Sequence, residues 1–104
     1  MDFLVEIEVQ LPPDTDPGRK ADLVAAEAVQ AQELAAKGTI YRLWRLPGRW
    51  ANVGIWCADD ATELHDALAS LPLYPWLDID VTPLARHPSD PEPRPLPDVP
   101  TSPG

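Results

Sequence analysis

The distribution of prolines constrains this sequence more than any other feature. Seven of its 14 prolines fall between Pro88 and Pro103, in a segment whose only large apolar side chains are one leucine and one valine. So little apolar surface cannot offset the roughly 1–2 kcal/mol that ordering each backbone unit costs. We therefore predict a compact domain over residues 1–87 and a Pro-rich, mobile tail over residues 88–104, for which a ligand of an SH3-type or WW-type domain is the functional alternative.

The charge of the chain excludes several classes of function. With 17 acidic against 8 basic residues, its formal charge is −9, so it lacks the basic footprint that nucleic acids and acidic lipid surfaces demand. No apolar stretch approaches the roughly 18–20 residues needed to cross a bilayer. The first residues, Met-Asp-Phe-Leu, lack the basic region of a signal peptide, so we expect a cytoplasmic protein without nucleic-acid or membrane partners. Its single cysteine, Cys57, excludes an intrachain disulfide.

Periodicity within the compact part predicts six elements in the order βαββαβ. Apolar and polar residues alternate in the strands, Asp16-Pro17 opens the first helix, and Gly38 follows its end. This order predicts an α+β, ferredoxin-like fold with two helices on one face of a four-stranded antiparallel sheet. The predicted elements are strand Phe3–Gln10, helix Pro17–Lys37, strands Thr39–Leu46 and Trp50–Cys57, helix Ala61–Leu71 and strand Trp76–Thr82.

The second face of the predicted sheet requires a partner. Trp44, Trp50, Trp56 and Trp76 are more large aromatic side chains than two short helices can cover. We therefore expect oligomerisation through the open face of the sheet.

Glu27 is the one acidic residue of the first helix that falls on its apolar side. Counted at about 100° per residue from Leu23, the apolar arc extends to Ala28 at about 140°, and Glu27 falls at about 40°. Burial would raise the pKa of this carboxyl, as proton abstraction from carbon near neutral pH requires. The alternative is a structural glutamate that reaches solvent or pairs with an arginine, and the wheel alone leaves both open.

The hairpin between the second and third strands carries the remaining candidates. Arg42, Arg45 and Arg49 cluster there and form either an anion-binding patch or ordinary surface ion pairs. Asn52 lies on an otherwise apolar strand, on the same side as Trp50 and Trp56, and is a candidate polar pocket residue. With only two histidines and no paired-ligand spacing, a transition-metal site is not expected.

Taken together, these segments resemble the muconolactone Δ-isomerases of aromatic catabolism over nearly all of residues 1–88. The order and spacing of many separate segments match. They are Leu11-Pro12, Asp16-Pro17, Glu27, Leu43-Trp44-Arg45 with Gly48, Ala51-Asn52, Leu64-His65-Asp66, Leu71-Pro72-Leu73 with Pro75, and Arg86-His87-Pro88.

The resemblance implies a fold, an assembly and a reaction. The fold is the ferredoxin-like fold of the dimeric α+β barrel group, assembled as rings of dimers, typically decamers, and the family needs no metal or organic cofactor. The reaction moves the ring double bond of (S)-muconolactone, a small lactone carboxylate, to give the 3-oxoadipate enol-lactone of the β-ketoadipate pathway through a dienolate.

The resemblance also implies residue roles. Glu27 would be the catalytic base and acid, and Asn52 would donate a hydrogen bond to the developing oxyanion. Arg45 or Arg86 would hold the substrate carboxylate. Two departures from the family are Trp50, where a tyrosine is common, and Arg42, where a histidine is usual.

His65 and Arg42 complete the candidate substrate-binding residues, and Trp50 the catalytic ones. Three alternative functions follow from the same features. They are a chloromuconolactone dehalogenase, a cofactor-independent monooxygenase on the same barrel, and a non-catalytic, ring-forming binding protein.

Overall fold

The computed structural model of the chain describes residues 1–91, and its elements follow the predicted order. The predicted tail lies outside the described residues from residue 92 onward. The elements are β1 (Asp2–Val9), α1 (Pro17–Ala36), β2 (Ile40–Arg45), β3 (Ala51–Cys57), α2 (Ala61–Ala69), a 3₁₀ turn (Tyr74–Trp76) and β4 (Leu77–Leu84).

The four strands form one sheet in the order β2-β3-β1-β4, and each neighbouring pair is antiparallel. With two helices in the connections, this is the predicted α+β, ferredoxin-like arrangement, so the predicted fold class is confirmed. None of the helices within residues 1–91 is long and apolar enough to cross a membrane.

Strand register decides which residues meet on the face that the helices cover. Phe3, Val5 and Ile7 of β1 are almost fully buried, and they lie opposite Trp56, Gly54 and Asn52 of β3. Side chains on directly opposed residues point to the same side of a sheet. The core therefore lies between this face, called here the helix face, and the inner sides of α1 and α2.

The opposite face, called here the open face, has no covering element within residues 1–91. On it, Leu4 lies opposite Ile55, and Trp44 of β2 lies opposite Val53. Leu4 is 37% exposed and Trp44 is 38% exposed, as expected of a surface that meets no part of its own chain. Of the four tryptophans, Trp56 belongs to the core, which leaves fewer aromatic rings on the open face than the composition indicated.

The ends of α1 follow from its terminal residues. The Asp16 carboxylate accepts a hydrogen bond from the backbone N–H of Arg19 at 3.1 Å, which caps the first turn. At the other end, Gly38 adopts a φ of +83°, a conformation that favours glycine and stops the helix.

The largest differences from the predicted boundaries lie in α2 and after it, and the other boundaries agree to within one residue. α2 ends at Ala69, two residues early, since Pro72 disfavours helical backbone at the residue before it. The Ser70 hydroxyl donates to the Ala67 carbonyl at 2.6 Å in the last turn. The chain then forms the 3₁₀ turn, which includes Trp76 instead of leaving it to the last strand. β4 is longer than predicted and continues to Leu84.

Candidate active site

Glu27 lies in the middle of the inward-facing side of α1. The residues of this helix with reduced exposure are spaced at intervals of three and four, which is the pattern of a single packed stripe. This stripe is narrower than the predicted apolar arc, because Val24 is 42% exposed and Ala28 is exposed as well. The stripe consists of Leu23, Glu27, Gln30, Ala31 and Leu34.

Among residues 1–91, the Glu27 carboxylate has one hydrogen-bond donor, and it comes from the backbone. The N–H of Leu73, in the segment between α2 and the 3₁₀ turn, donates to Oε1 at 3.0 Å. Burial raises the pKa of the Glu27 carboxyl above its ordinary value, and the Leu73 hydrogen bond opposes this rise only in part. Glu27 is thus a half-buried carboxylate whose proton affinity is higher than that of a surface glutamate.

Pairing of Glu27 with an arginine, the structural alternative, is not seen within residues 1–91. The one ion pair in this part of the chain joins Arg49 to Glu8, with 3.1 Å between Nη2 and Oε1. A neighbouring side chain, Gln30, bonds Ser70 Oγ at 2.9 Å and ties α1 to the end of α2. The segment that follows α2 is therefore joined to α1 by two hydrogen bonds, this one and the one that Glu27 accepts.

Asn52 lies on the helix face of β3, opposite Ile7 of β1 and Arg45 of β2. Its Oδ1 is buried and has no hydrogen-bond partner among the described residues. Because a buried amide without partners is costly, this side chain is suited to bind a ligand or a water molecule.

The candidate arginines lie in three different places. Arg45 is exposed on the helix face, directly opposite Asn52. Arg42 lies on the open face, where its guanidinium is 4.9 Å from the centre of the Trp44 ring. Arg86 follows the end of β4. Of Arg42, Arg45 and Arg86, only Arg45 shares a sheet face and a register position with Asn52.

Arg86 lies at the far end of the sheet from Asn52. It lines a groove of about 830 Å³ together with Met1, Asp2 and His87. Leu84 pairs with Asp2, whereas Asn52 pairs with Ile7, which puts the two positions five residues apart along β1. At about 3.4 Å per residue this is roughly 17 Å of backbone, so Arg86 is remote from Asn52 of the same chain.

The first turn of α1 brings two cations onto the tryptophans at the other end of the sheet. The Lys20 ammonium is 5.1 Å from the Trp50 ring centre, and the Arg19 guanidinium is 5.9 Å from that of Trp76. Lys20 therefore places the Trp50 ring on the side of the sheet that α1 covers. The sequence analysis did not identify Lys20 or Arg19 as neighbours of these tryptophans. Both residues closely follow the Asp16-Pro17 helix start, and that position in the sequence could have identified them.

His65 is exposed on α2, and its ring meets the edge of Tyr74 with 6.2 Å between ring centres. Tyr74 follows Leu73, whose N–H binds Glu27. His65 therefore lies near the segment that holds the Glu27 carboxylate. Leu73 was not predicted as a partner of Glu27, because a backbone donor leaves no trace in side-chain patterns.

Comparisons with known proteins identify the same family over nearly the whole described part of the chain. The profile of the family described as "Muconolactone delta-isomerase" matches residues 1–90. Muconolactone Delta-isomerase 2 of Acinetobacter lwoffii is 42% identical over 87 residues, covering 84% of this chain and 91% of that protein. Muconolactone Delta-isomerase of Rhodococcus opacus is 38% identical over 88 residues, covering 85% of this chain and 95% of that protein.

A solved structure gives the same result in three dimensions. A crystal structure of muconolactone isomerase superposes with a TM-score of 0.82 at 43% sequence identity. The match covers 86% of this chain and 94% of that chain, which is enough to include the sheet and both helices described above.

Proposed function

The chain belongs to the muconolactone Δ-isomerase family and is an isomerase, and we propose that it converts (S)-muconolactone into 3-oxoadipate enol-lactone by proton transfer through Glu27. The observation that carries this proposal is the position of Glu27, a half-buried carboxylate in the inward stripe of α1 with a raised pKa. The proposal places the enzyme in the β-ketoadipate pathway and in the cytoplasm.

The proposed reaction moves one double bond within the lactone ring. A proton leaves the ring carbon that bears the carboxymethyl group, and a proton is added to the carbon next to the lactone carbonyl. Between these two steps the lactone is a dienolate, whose negative charge lies largely on the carbonyl oxygen. The protein must therefore supply a base, a donor for that oxygen and a cation for the substrate carboxylate.

Glu27 is the proposed base, and it returns the proton as the acid in the second step. A raised pKa makes the carboxylate a stronger base and moves the carboxyl toward the neutral range, which suits a group that both takes and returns a proton. The Leu73 N–H occupies Oε1 and fixes the orientation of the carboxylate. We assign proton transfer to Oε2.

Asn52 is the proposed donor to the dienolate oxygen. The amide would donate through Nδ2, while its Oδ1, which has no partner among the described residues, is left to accept from a water molecule. An oriented donor of this kind is typically worth about 3 kcal/mol in the transition state. Trp50 lies directly before β3, two residues ahead of Asn52, and its indole is proposed to line the same end of the pocket.

Arg45 is the proposed binding residue for the substrate carboxylate. It lies directly opposite Asn52, and its exposed guanidinium is available for a bidentate contact. The proposal favours Arg45 over Arg86 and Arg42 because these two lie at the far end and on the opposite face of the same chain. His65 is proposed to help position the Leu73–Tyr74 segment through its contact with Tyr74.

We propose that the enzyme works as a homo-oligomer in which the open face is covered by another copy, within a ring of dimers. Leu4, Trp44 and their neighbours expose apolar surface there, and Glu8 with Arg49 supplies charge at its margin. A sheet face of this composition is suited to pairing with a second copy of itself.

The proposal is tested by incubating the purified full-length protein with (S)-muconolactone and following the formation of enol-lactone. We expect turnover by the wild type and a kcat reduced about 10²–10⁴-fold in Glu27→Gln. Glu33→Gln is the matched control, since Glu33 is an exposed glutamate on the same helix, and it should keep full activity.

Two results would overturn the proposal. Full activity of Glu27→Gln would exclude Glu27 as the base, and absence of turnover by the wild type would exclude muconolactone as the substrate. Chloride release from a chlorinated muconolactone, measured in parallel, identifies a dehalogenase if it is faster than isomerisation.

A further inference from the structure

Trp56 carries a polar atom that the fold does not use. Its side chain is 1% exposed, and its Nε1 is buried without a hydrogen-bond partner among residues 1–91. Buried indole N–H groups usually find an acceptor, because leaving a donor unpaired away from water is unfavourable. Since the described residues supply no acceptor, this N–H is left to a water molecule or to a bound ligand.

The Trp56 indole lies on the same face of the sheet as Asn52 of the candidate active site. Trp56 and Asn52 lie on the same face of β3, four residues apart, and each contributes one buried polar atom without a partner in the described part of the chain. The residue between them on that face is Gly54, which has no side chain and lies beside Leu43 of β2. Both unpaired atoms thus belong to one side of one strand.

The helix above Trp56 also carries the proposed base. Ala31 and Leu34 of α1 pack against the cluster that includes Trp56. Glu27 precedes Ala31 by four residues on the same stripe, which is one helical turn, or about 6 Å along the axis. The indole therefore lies under the stripe of α1 to which the Glu27 carboxylate belongs.

We propose that the indole N–H of Trp56 donates a hydrogen bond to an oxygen of the bound lactone, which makes Trp56 a specificity-determining residue of the isomerase. This inference rests on the proposed function. All the oxygen atoms of muconolactone are acceptors, and indole does not ionise in the working pH range, so Trp56 binds without exchanging protons with the substrate.

The oxygen that Trp56 meets belongs to the lactone group. Arg45, the proposed carboxylate-binding residue, lies opposite Asn52. Trp56 is four residues further along β3, so it lies away from the carboxylate end of the substrate. A site with this donor should discriminate against analogues in which the lactone is replaced by a carbocycle, because the buried N–H would then stay unpaired.

Trp56→Phe is the variant that tests this inference, since it removes the N–H and keeps an aromatic ring in the core. We expect kcat/KM for (S)-muconolactone to fall about tenfold or more, the loss typical of one hydrogen bond. We expect Tm to stay within a few degrees of the wild type or to rise, because a buried unpaired donor has been removed. Trp44→Phe, the same change on the opposite face of the sheet, should leave kcat/KM unchanged.

A spectroscopic measurement tests the hydrogen bond without a change at Trp56. The four indole N–H signals in ¹⁵N–¹H TROSY spectra of deuterated protein can each be assigned from the matching Trp→Phe variant. Glu27→Gln protein saturated with (S)-muconolactone should show a downfield shift of the Trp56 signal, while the signal of Trp44, on the open face, stays in place.

The outcomes separate this inference from the proposed function. If the wild type isomerises muconolactone, but Trp56→Phe keeps full kcat/KM and the Trp56 signal does not shift, only the role of Trp56 is overturned. If the wild type does not turn over muconolactone, the proposed function fails. In that case a shifted Trp56 signal still supports lactone binding, and an unshifted signal overturns both.

Discussion

The two faces of the sheet are built from the same four strands and differ in what they leave unsatisfied. On the helix face, Phe3, Val5 and Trp56 are almost fully buried. The groups without a partner there are polar, since Asn52 Oδ1 and Trp56 Nε1 form no hydrogen bond in the described part of the chain. On the open face the groups without a partner are apolar, since the side chains of Leu4 and Trp44 remain partly exposed.

This difference separates chemistry from assembly. An unpaired donor in a dry environment binds an acceptor atom of a small polar ligand strongly, because the ligand supplies the missing hydrogen bond. Exposed apolar side chains on a sheet bind another apolar surface. We therefore expect substitutions on the helix face to change turnover, and substitutions on the open face to change the oligomeric state.

A charge placed on the open face should have the largest effect. Trp44→Glu would replace an apolar ring of the proposed interface with a carboxylate beside Arg42. Burying such a pair of charges costs several kcal/mol of desolvation, so the change should convert the oligomer into smaller species. Sedimentation velocity measures this change. Ala69→Glu adds the same charge at an exposed position of α2 and should leave the sedimentation coefficient unchanged. An intact oligomer in Trp44→Glu would contradict the division between the faces.

Removal of the Asn52 amide should have the next largest effect. Asn52→Ala is expected to lower kcat about 10²–10³-fold, because the dienolate oxygen loses an oriented donor. The sedimentation coefficient should not change, since Asn52 lies on the helix face. Steady-state kinetics together with sedimentation check both statements, and a variant that loses assembly in place of turnover would break the comparison.

Arg45 and Arg42 sharpen the comparison, because they are three residues apart on one strand and lie on opposite faces. Arg45→Gln should raise KM about 10–100-fold, the loss expected when a charged hydrogen-bond partner of the substrate carboxylate is removed. Arg45→Lys should recover only part of this affinity, because an ammonium cannot form the bidentate contact. Arg42→Gln should change KM much less, and a larger effect of Arg42→Gln would place the carboxylate on the open face.

The sequence was sufficient to predict the fold and to identify Glu27, the part of the candidate site that lies on α1. Alternation in β1 and the Asp16-Pro17 start of α1 depend on local patterns, so strand and helix positions were predicted nearly to the residue. Glu27 was identified because a charged residue in an apolar stripe is visible on a helical wheel.

The remaining features depend on contacts between distant segments. The Leu73 N–H reaches Glu27 across 46 positions of the chain, and no side-chain pattern encodes a backbone donor. The narrow width of the α1 stripe follows from the tertiary contacts of the helix, which its own sequence pattern does not encode. Trp56 was counted among the aromatic residues in excess, and only the register of β3 with β1 puts it in the core.

The smallest predicted effect is on the stability of the folded state, which the ionised Glu27 carboxylate lowers. Because burial raises the Glu27 pKa in the folded state, the folded protein binds this proton more tightly than the unfolded chain, whose value is near 4.5. Glu27 therefore destabilises the folded state progressively as pH rises above 4.5 through the raised pKa. In the Glu27→Gln variant the side-chain amide cannot ionise, and its oxygen can still accept the Leu73 N–H.

Glu27→Gln should thus raise Tm by about 2–4 °C at pH 7 and by almost nothing at pH 4, where Glu27 is largely protonated in both states. Thermal unfolding of both proteins at fixed concentration across this pH range measures the difference. Glu33→Gln, which replaces an exposed carboxylate on the same helix, should show no such pH-dependent gain. A Tm of Glu27→Gln that falls at pH 7 would mean that the carboxylate stabilises the contact with Leu73, and that its role on the helix face is structural.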